Sequence, residues 1–413
     1  MGEKISARRW LAAAVLAVCL VVGWGVCASP VCVRAAAKEV TSGRAKLAGK
    51  KIKNSRNRVA GVYNKEGQIV MKVCEEGGSA GYLNSSSLNA LCAGNQPKTV
   101  VIPAGSRVEL TNMVYLGSNT TIIADGATIV MTATDKGILS NKPDRVNYEA
   151  LKNVTIQGGT WKITDKVNGS SLFAFSHGSN VVIDGATIFS NYQSHAIELI
   201  AMKNVTIKNC DIKAQGKVRK TSVEDAVQID VAAPSTAPVI ARYGRKFVNG
   251  QTCKNIRILN NKIEGSRGVC ANYARTDGGK YKNKFHDKIV IKGNTLIGQS
   301  AEGCVLYNTL NAVVSNNKIR TNSSRRSQSY SVGLNITIQG KASGKSLKKA
   351  KVTVTKNKVF GYRQGIQVVS FSSSRYKKAV LKNNKAYASS KGSAIVTSGA
   401  RSVSSKGNKT FKR

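Results

Sequence analysis

Short runs that alternate apolar and polar residues recur along most of the chain. One pattern reads NVTIQGGTW at 153–161, NVVIDGATI at 180–188, NVTIKNCDI at 204–212 and NIRILNNKI at 255–263. It returns as KIVIKGNTL at 288–296, NAVVSNNKI at 311–319, KVTVTKNKV at 351–359 and KAVLKNNKA at 378–386. The starts are separated by 27, 24, 51, 33, 23, 40 and 27 residues, a base period of 23–27 with insertions. Such a period marks a solenoid. Each unit holds two alternating runs split by a two-residue polar turn, with no 3.6-residue periodicity, so helical and leucine-rich repeats fail. Val and Ile on one side of each run suit strands whose inner face is buried. Stacked turns then give parallel strands about 4.8 Å apart, a parallel β-helix.

The turn supports this reading. Counting six on from a repeat start gives Asn261, Asn294, Asn317, Asn357 and Asn384. Identical Asn side chains at one turn can form a hydrogen-bonded ladder along the axis, so these residues are structural. Tyr82 to Gly94 reads as a short helix capping the open end of the solenoid. Next come VVIPAG at 100–105 and LGSNTTIIADGATI at 116–129. This opening, followed by the repeats, resembles the pectin-lyase-like superfamily over about residues 82–400. The resemblance implies an all-β, right-handed parallel β-helix with an N-terminal capping helix. It does not imply one activity, because the fold carries lyases, hydrolases, epimerases, tailspikes and adhesins.

The N-terminal region has a different character. Lys4, Arg8 and Arg9 precede an apolar run from Leu11 to Val26, followed by small-residue cleavage patterns. Residues 1–37 therefore read as a signal peptide, which predicts a secreted chain, free or associated with the cell envelope, without a stable transmembrane segment. Residues 38–60 read as a basic flexible arm, 61–98 as a cap region and 99–413 as the β-helix. Of the nine Cys, six lie beyond the signal: Cys74, Cys92, Cys210, Cys253, Cys270 and Cys304. Their spacing fits no zinc motif. Cys74 and Cys92 could pair after export, whereas the other four read as buried apolar residues.

Charge narrows the partners. The 413 residues carry 64 Lys+Arg against 21 Asp+Glu, a formal net charge of +43. Attraction of an acidic polysaccharide or an anionic cell-wall polymer fits this excess. Nucleic acid is disfavoured by the export signal, the 6% aromatic content and the lack of a nucleic-acid-binding motif.

With acids so scarce, their grouping becomes informative. A third strand is expected before each repeat unit: SLFAFSH at 171–177, HAIELI at 195–200 and EDAVQID at 224–230. Alternation places Ile197, Leu199, Val227 and Ile229 inward. Ala196, Glu198, Ile200, Ala226, Gln228 and Asp230 are then expected to face outward. His195 and Asp225 match at the strand starts, and His177 falls near the exit of the preceding rung. Extra chain at 232–252 and 274–287 leaves one edge of this column and would wall a groove. The HAIEL and EDAVQID pair resembles a group of uncharacterised exported bacterial β-helix proteins, which implies a shared site without naming a reaction.

Three residues are expected to be catalytic. His195 suits the base of a lyase removing the proton α to a uronate carboxylate. Glu198 and Asp230 suit the carboxyl pair of a glycoside hydrolase. Expected substrate-binding residues are His177, Glu224, Asp225, Gln228, Arg242, Arg245 and Arg275, the arginines suiting sugar carboxylates. His286 reads as solvated in a Lys-rich loop. No metal site is assigned, although calcium is conceivable at Glu224, Asp225 and Asp230. The Asn-Thr-Asp, Asp-Asp, Gly-His-Gly and Arg-Ile-Lys motifs of polygalacturonases are absent, as is the Arg-x-Pro-x-x-Arg element of the main pectate lyases. The leading expectation is an exported lyase or hydrolase of an acidic polysaccharide. The alternative is a non-catalytic envelope protein or adhesin that binds anionic glycans.

Overall fold

Period-two alternation places one residue of every pair inside the solenoid, and the buried residues form columns. Val154, Val181, Val205, Ile256 and Ile289 stack on successive rungs, all fully buried. Ile156, Ile183, Ile207, Ile258 and Ile291 form the column beside them. The larger rings pack near the middle: Trp161 meets Phe173 edge to face at 5.2 Å. The structure is a computed structural model that describes residues 46–75, 77–164, 170–218, 224–324, 329–342, 347 and 349–413. The expected signal peptide at 1–37 lies outside the described residues, among which no helix is long and apolar enough to cross a membrane.

The strands form three sheets, here A, B and C, with 15, 11 and 10 strands among the described residues. The solenoid strands pair in parallel in all three sheets. Sheet A alone begins antiparallel, with Lys51–Lys53 against Val59–Tyr63 and that strand against Ile69–Met71. The supposed arm is therefore ordered from residue 46, and buried Asn54 donates to Ser87 Oγ at 3.1 Å. Helix α1 (Ala80–Cys92) follows. Its buried Leu88 and Leu91 join the core. Ser85 Oγ accepts from the N–H groups of Thr111 and Asn112, both at 3.0 Å. Asn89 Oδ1 accepts from the Tyr115 N–H at 3.0 Å. The helix thus satisfies backbone groups that an uncovered solenoid edge would expose.

Two asparagine ladders run along the corners. Asn261, Asn294, Asn317, Asn357 and Asn384 each donate Nδ2 to the Oδ1 of the next, ending at Asn408, at 2.8–3.0 Å. The second ladder, Asn119, Asn153, Asn180, Asn204 and Asn255, is linked at 2.8–3.1 Å. Its members have φ of 52–58°, a left-handed turn that Asn tolerates better than most residues. This explains why so many repeat units start with Asn. Cys92, Cys210, Cys253, Cys270 and Cys304 are buried, and no disulfide joins Cys74 to Cys92.

Candidate functional site

The column Phe173–Ser176, Ile197–Ile200, Asp225–Asp230, Arg267–Ala271 and Cys304–Tyr307 lies in sheet C. Glu198 pairs with Gln228, and Ile200 with Asp230, in the expected register. The two insertions cover the outside of this column. The first carries Pro238–Ala241 and a short 3₁₀ turn, Arg245–Phe247. It packs Ile240, Phe247 and Val248 onto outward-facing Ile200. The Ser235 N–H donates to Asp277 Oδ2 at 3.2 Å and ties it to the second insertion.

Beneath the first loop lies a cavity of about 310 Å³ lined by His195, Glu198, Glu224, Gln228, Ser171 and Asn272, among others. Ser171 Oγ donates to Glu198 Oε2 at 2.6 Å. His195 Nδ1 lies 2.7 Å from the Asp225 carbonyl, so Nδ1 carries the proton that is donated there. This leaves Nε2 toward Glu224, 3.5 Å from Oε2. One imidazole nitrogen is thus tied to backbone while the other shares the cavity with two glutamates.

Asp230 departs from expectation. It is fully buried and does not line the cavity. Gln228 Nε2 donates to its Oδ2 at 2.6 Å, while Oδ1 has no partner. Burial, followed by the neighbouring Glu198 charge, pushes its carboxyl well above the usual carboxylate range. It holds the expected register beside Ile200, but its carboxyl is sealed from solvent. Asp225 is buried too, and its Oδ1 accepts from Arg267 Nη1 at 2.8 Å. Ala196 and Ala226 sit in the core rather than outward, because regular alternation breaks down where the chain turns into this sheet.

The expected binding residues divide. Glu224 and Gln228 line the first cavity. His177 is fully buried between the Phe247 carbonyl at 2.8 Å and Gln251 Oε1 at 3.2 Å, clamping the first loop. Burial also depresses its pKa. Arg242 and Arg245 are exposed and line neither cavity, since the loop turns Pro238 and Val239 inward instead. His286 is buried, not solvated, and burial lowers its pKa to about 4. Glu224, Asp225 and Asp230 do not gather as a calcium cage: among the described residues no three His, Cys, Asp or Glu form a metal-binding group.

A second cavity of about 690 Å³ adjoins the first at Asn272. Arg275 lines it, together with Arg267, Lys282, Tyr273, Tyr307 and Tyr330. Arg267 is clamped between Asp225 and Glu302 Oε2, the latter at 2.9 Å. Burial pulls its pKa down, but the Glu302 and Asp225 charges outweigh that and hold it well above the usual value. Arg275 and Lys282 are exposed cations. The sequence reading missed Arg267, Glu302 and Asn272. The signal was available, because the strand register puts Arg267 directly beside Asp225.

No family model matches the sequence, and no curated protein matches it. Solved structures do match. The Streptococcus pneumoniae surface protein and adhesin PfbA is 14% identical, with a TM-score of 0.51 over 83% of this chain and 96% of that one. The endo-xylogalacturonan hydrolase of Aspergillus tubingensis is 12% identical, with a TM-score of 0.39 over 82% and 92%. The A-module of the Azotobacter vinelandii mannuronan C-5 epimerase AlgE4 is 12% identical, with a TM-score of 0.39 over 77% and 93%. At 14% identity the PfbA match concerns the fold alone. Three sheets of stacked parallel strands behind an N-terminal helix give this chain a right-handed parallel β-helix fold.

Proposed function

We infer that this is an exported surface protein that holds a stretch of acidic polysaccharide along the outside of sheet C without cleaving it. The second cavity carries this reading. Arg275 and Lys282 stand free at its rim, while Tyr273, Tyr307 and Tyr330 offer ring surface beside them. Such a site suits a sugar bearing a carboxylate. The sealed carboxyl of Asp230 supports binding over hydrolysis, because a hydrolase needs two carboxyl groups at the bond. Titration calorimetry with uronate oligosaccharides tests the reading. Binding without new reducing ends, weakened about tenfold or more by Arg275→Ala with Lys282→Ala, is expected for paired charge-assisted contacts. Unchanged affinity in that variant refutes it.

One observation favours catalysis as a second reading. His195, Glu198 and Glu224 share one cavity, with the imidazole oriented through Nδ1. Elimination would use His195 Nε2 as the base, and hydrolysis would use Glu198 and Glu224. Release of unsaturated or reducing products, abolished by Glu198→Gln or His195→Gln, establishes this reading. No product across a uronate panel removes it.

A further inference from the structure

The charge of the chain is unevenly placed. Residues 303–413 contain 23 Lys and Arg and no Asp or Glu. In this stretch a lysine follows the ladder asparagine on rung after rung: Lys318, Lys358, Lys385 and Lys409. All four are exposed and directly paired in sheet B, Lys318 with Lys358, Lys358 with Lys385 and Lys385 with Lys409. Their backbones are therefore about 4.8 Å apart per rung. Exposed Lys356, Lys382 and Lys406 flank the same asparagine corner from the sheet A side.

Earlier rungs provide an internal comparison. Where the same sheet B position holds Asp211, Lys262 on the next rung pairs with it at 3.5 Å. On the sheet A side, Lys208 pairs with Asp184 at 2.9 Å. Past Glu302 the acids vanish and the lysines stay. Among the described residues, no carboxylate forms an ion pair with Lys318, Lys358, Lys385 or Lys409. Stacked like charges oppose folding unless an outside anion answers them.

We propose that this asparagine-backed lysine ladder is a docking track for a single linear polyanionic glycan, with an anionic group on each sugar. A straight row with one cation per rung matches one extended strand, whereas a lipid surface would call for adjacent exposed apolar area. The rings one column away do not recognise sugars face-on. Phe360, Tyr387 and Phe411 stack on one another at 4.4 and 4.6 Å, which closes both faces of Tyr387 and the inner faces of the other two, and Lys358 Nζ lies 5.2 Å from the Phe360 ring centre. Charge is therefore the recognition element, and carboxylate or sulfate would serve. The track is separate from the sheet C cavities and does not depend on their role.

The test compares the full chain with a Lys318→Gln/Lys358→Gln/Lys385→Gln/Lys409→Gln variant. A control of equal charge changes exposed Lys50, Lys51, Lys65 and Lys72 to Gln. Binding to polygalacturonate and to heparin is measured against salt, with duplex DNA and anionic vesicles alongside. The ladder variant should lose about tenfold or more in affinity for one or both polymers near 50 mM salt, and its salt slope should fall by about three. The control should change either quantity less than about threefold. The relative loss on polygalacturonate and heparin tells carboxylate from sulfate. Equal losses in the two variants, no polymer binding by the unaltered chain, or ladder-dependent preference for DNA or vesicles would overturn the proposal. A uronate oligosaccharide bound at Arg275 and Lys282 should be indifferent to the ladder change, so the two sites fail separately.

Discussion

Replacing Asp230 by Asn should make the protein less stable in acid and more stable near neutrality. Asp230 is sealed, with one carboxylate oxygen held by Gln228 and the other unpartnered. Burial and Glu198 raise its pKa well above normal, whereas in the unfolded chain it titrates near 3.9. Below about pH 4 both states hold the proton, and the group does not oppose folding. As pH rises toward the folded value, unfolding releases a proton, so the native protein loses about 1.4 kcal/mol per pH unit. Asn at this position does not titrate. Its amide inherits the unpartnered site, at a cost of about 1 kcal/mol. The variant should therefore trail by about 1 kcal/mol at pH 4 and gain on the unaltered protein as pH rises toward the raised folded value of Asp230, overtaking it toward neutrality. Groups that do not interact with Asp230 titrate alike in both proteins and cancel in the difference. Urea unfolding of the two proteins at matched pH measures it. A constant difference from acid to neutral pH would refute the reasoning, since Asp230 would then titrate alike in both states.

Three further outcomes follow from buried groups. Arg267→Ala strands Asp225 and Glu302 on the outer face of sheet C and should cost about 3–5 kcal/mol in urea unfolding at pH 7. Restoring neutrality with Asp225→Asn and Glu302→Gln should recover most of that loss. Asn317→Ala removes bonds to Asn357 Oδ1 and the Ile291 carbonyl, both at 2.9 Å, and leaves the Asn294 N–H without its acceptor. It should cost about 2–4 kcal/mol, read from the same unfolding curves. Cys92 and Cys253 are sealed, with thiols pushed up by burial to about 12. Both should resist a thiol reagent at pH 8 until denaturant is added, which peptide mapping checks.

The solenoid was legible because its rules are local. Alternation, repeat spacing and a turn asparagine each act within a few residues, so the columns at Ile207 and Ile258 and the ladder through Asn317 could be counted from the chain. The pairing of Glu198 with Gln228 followed from the same counting. What escaped prediction depends on contacts across many residues. The loop carrying Phe247 closes over Ile200 and reaches back to His177, and no local pattern marks that approach. His286 looked solvated among lysines, yet it takes the Cys253 N–H at 3.1 Å and becomes interior. Asp225 looked like a binding residue until Arg267 claimed it. The acid-free end lay open in the sequence, but its meaning needed the register that stacks Lys318, Lys358, Lys385 and Lys409.

The stacked parallel rungs also shape how the molecule would respond to mechanical load. Each rung is hydrogen-bonded mainly to the one before and the one after, as Asn357 is to Asn317 and Asn384. Tension on one end would peel strands in succession, each detachment exposing a fresh edge and dissipating work. A polymer gripped alongside several rungs would spread that tension over many bonds in parallel, so the protein would yield by degrees rather than snap.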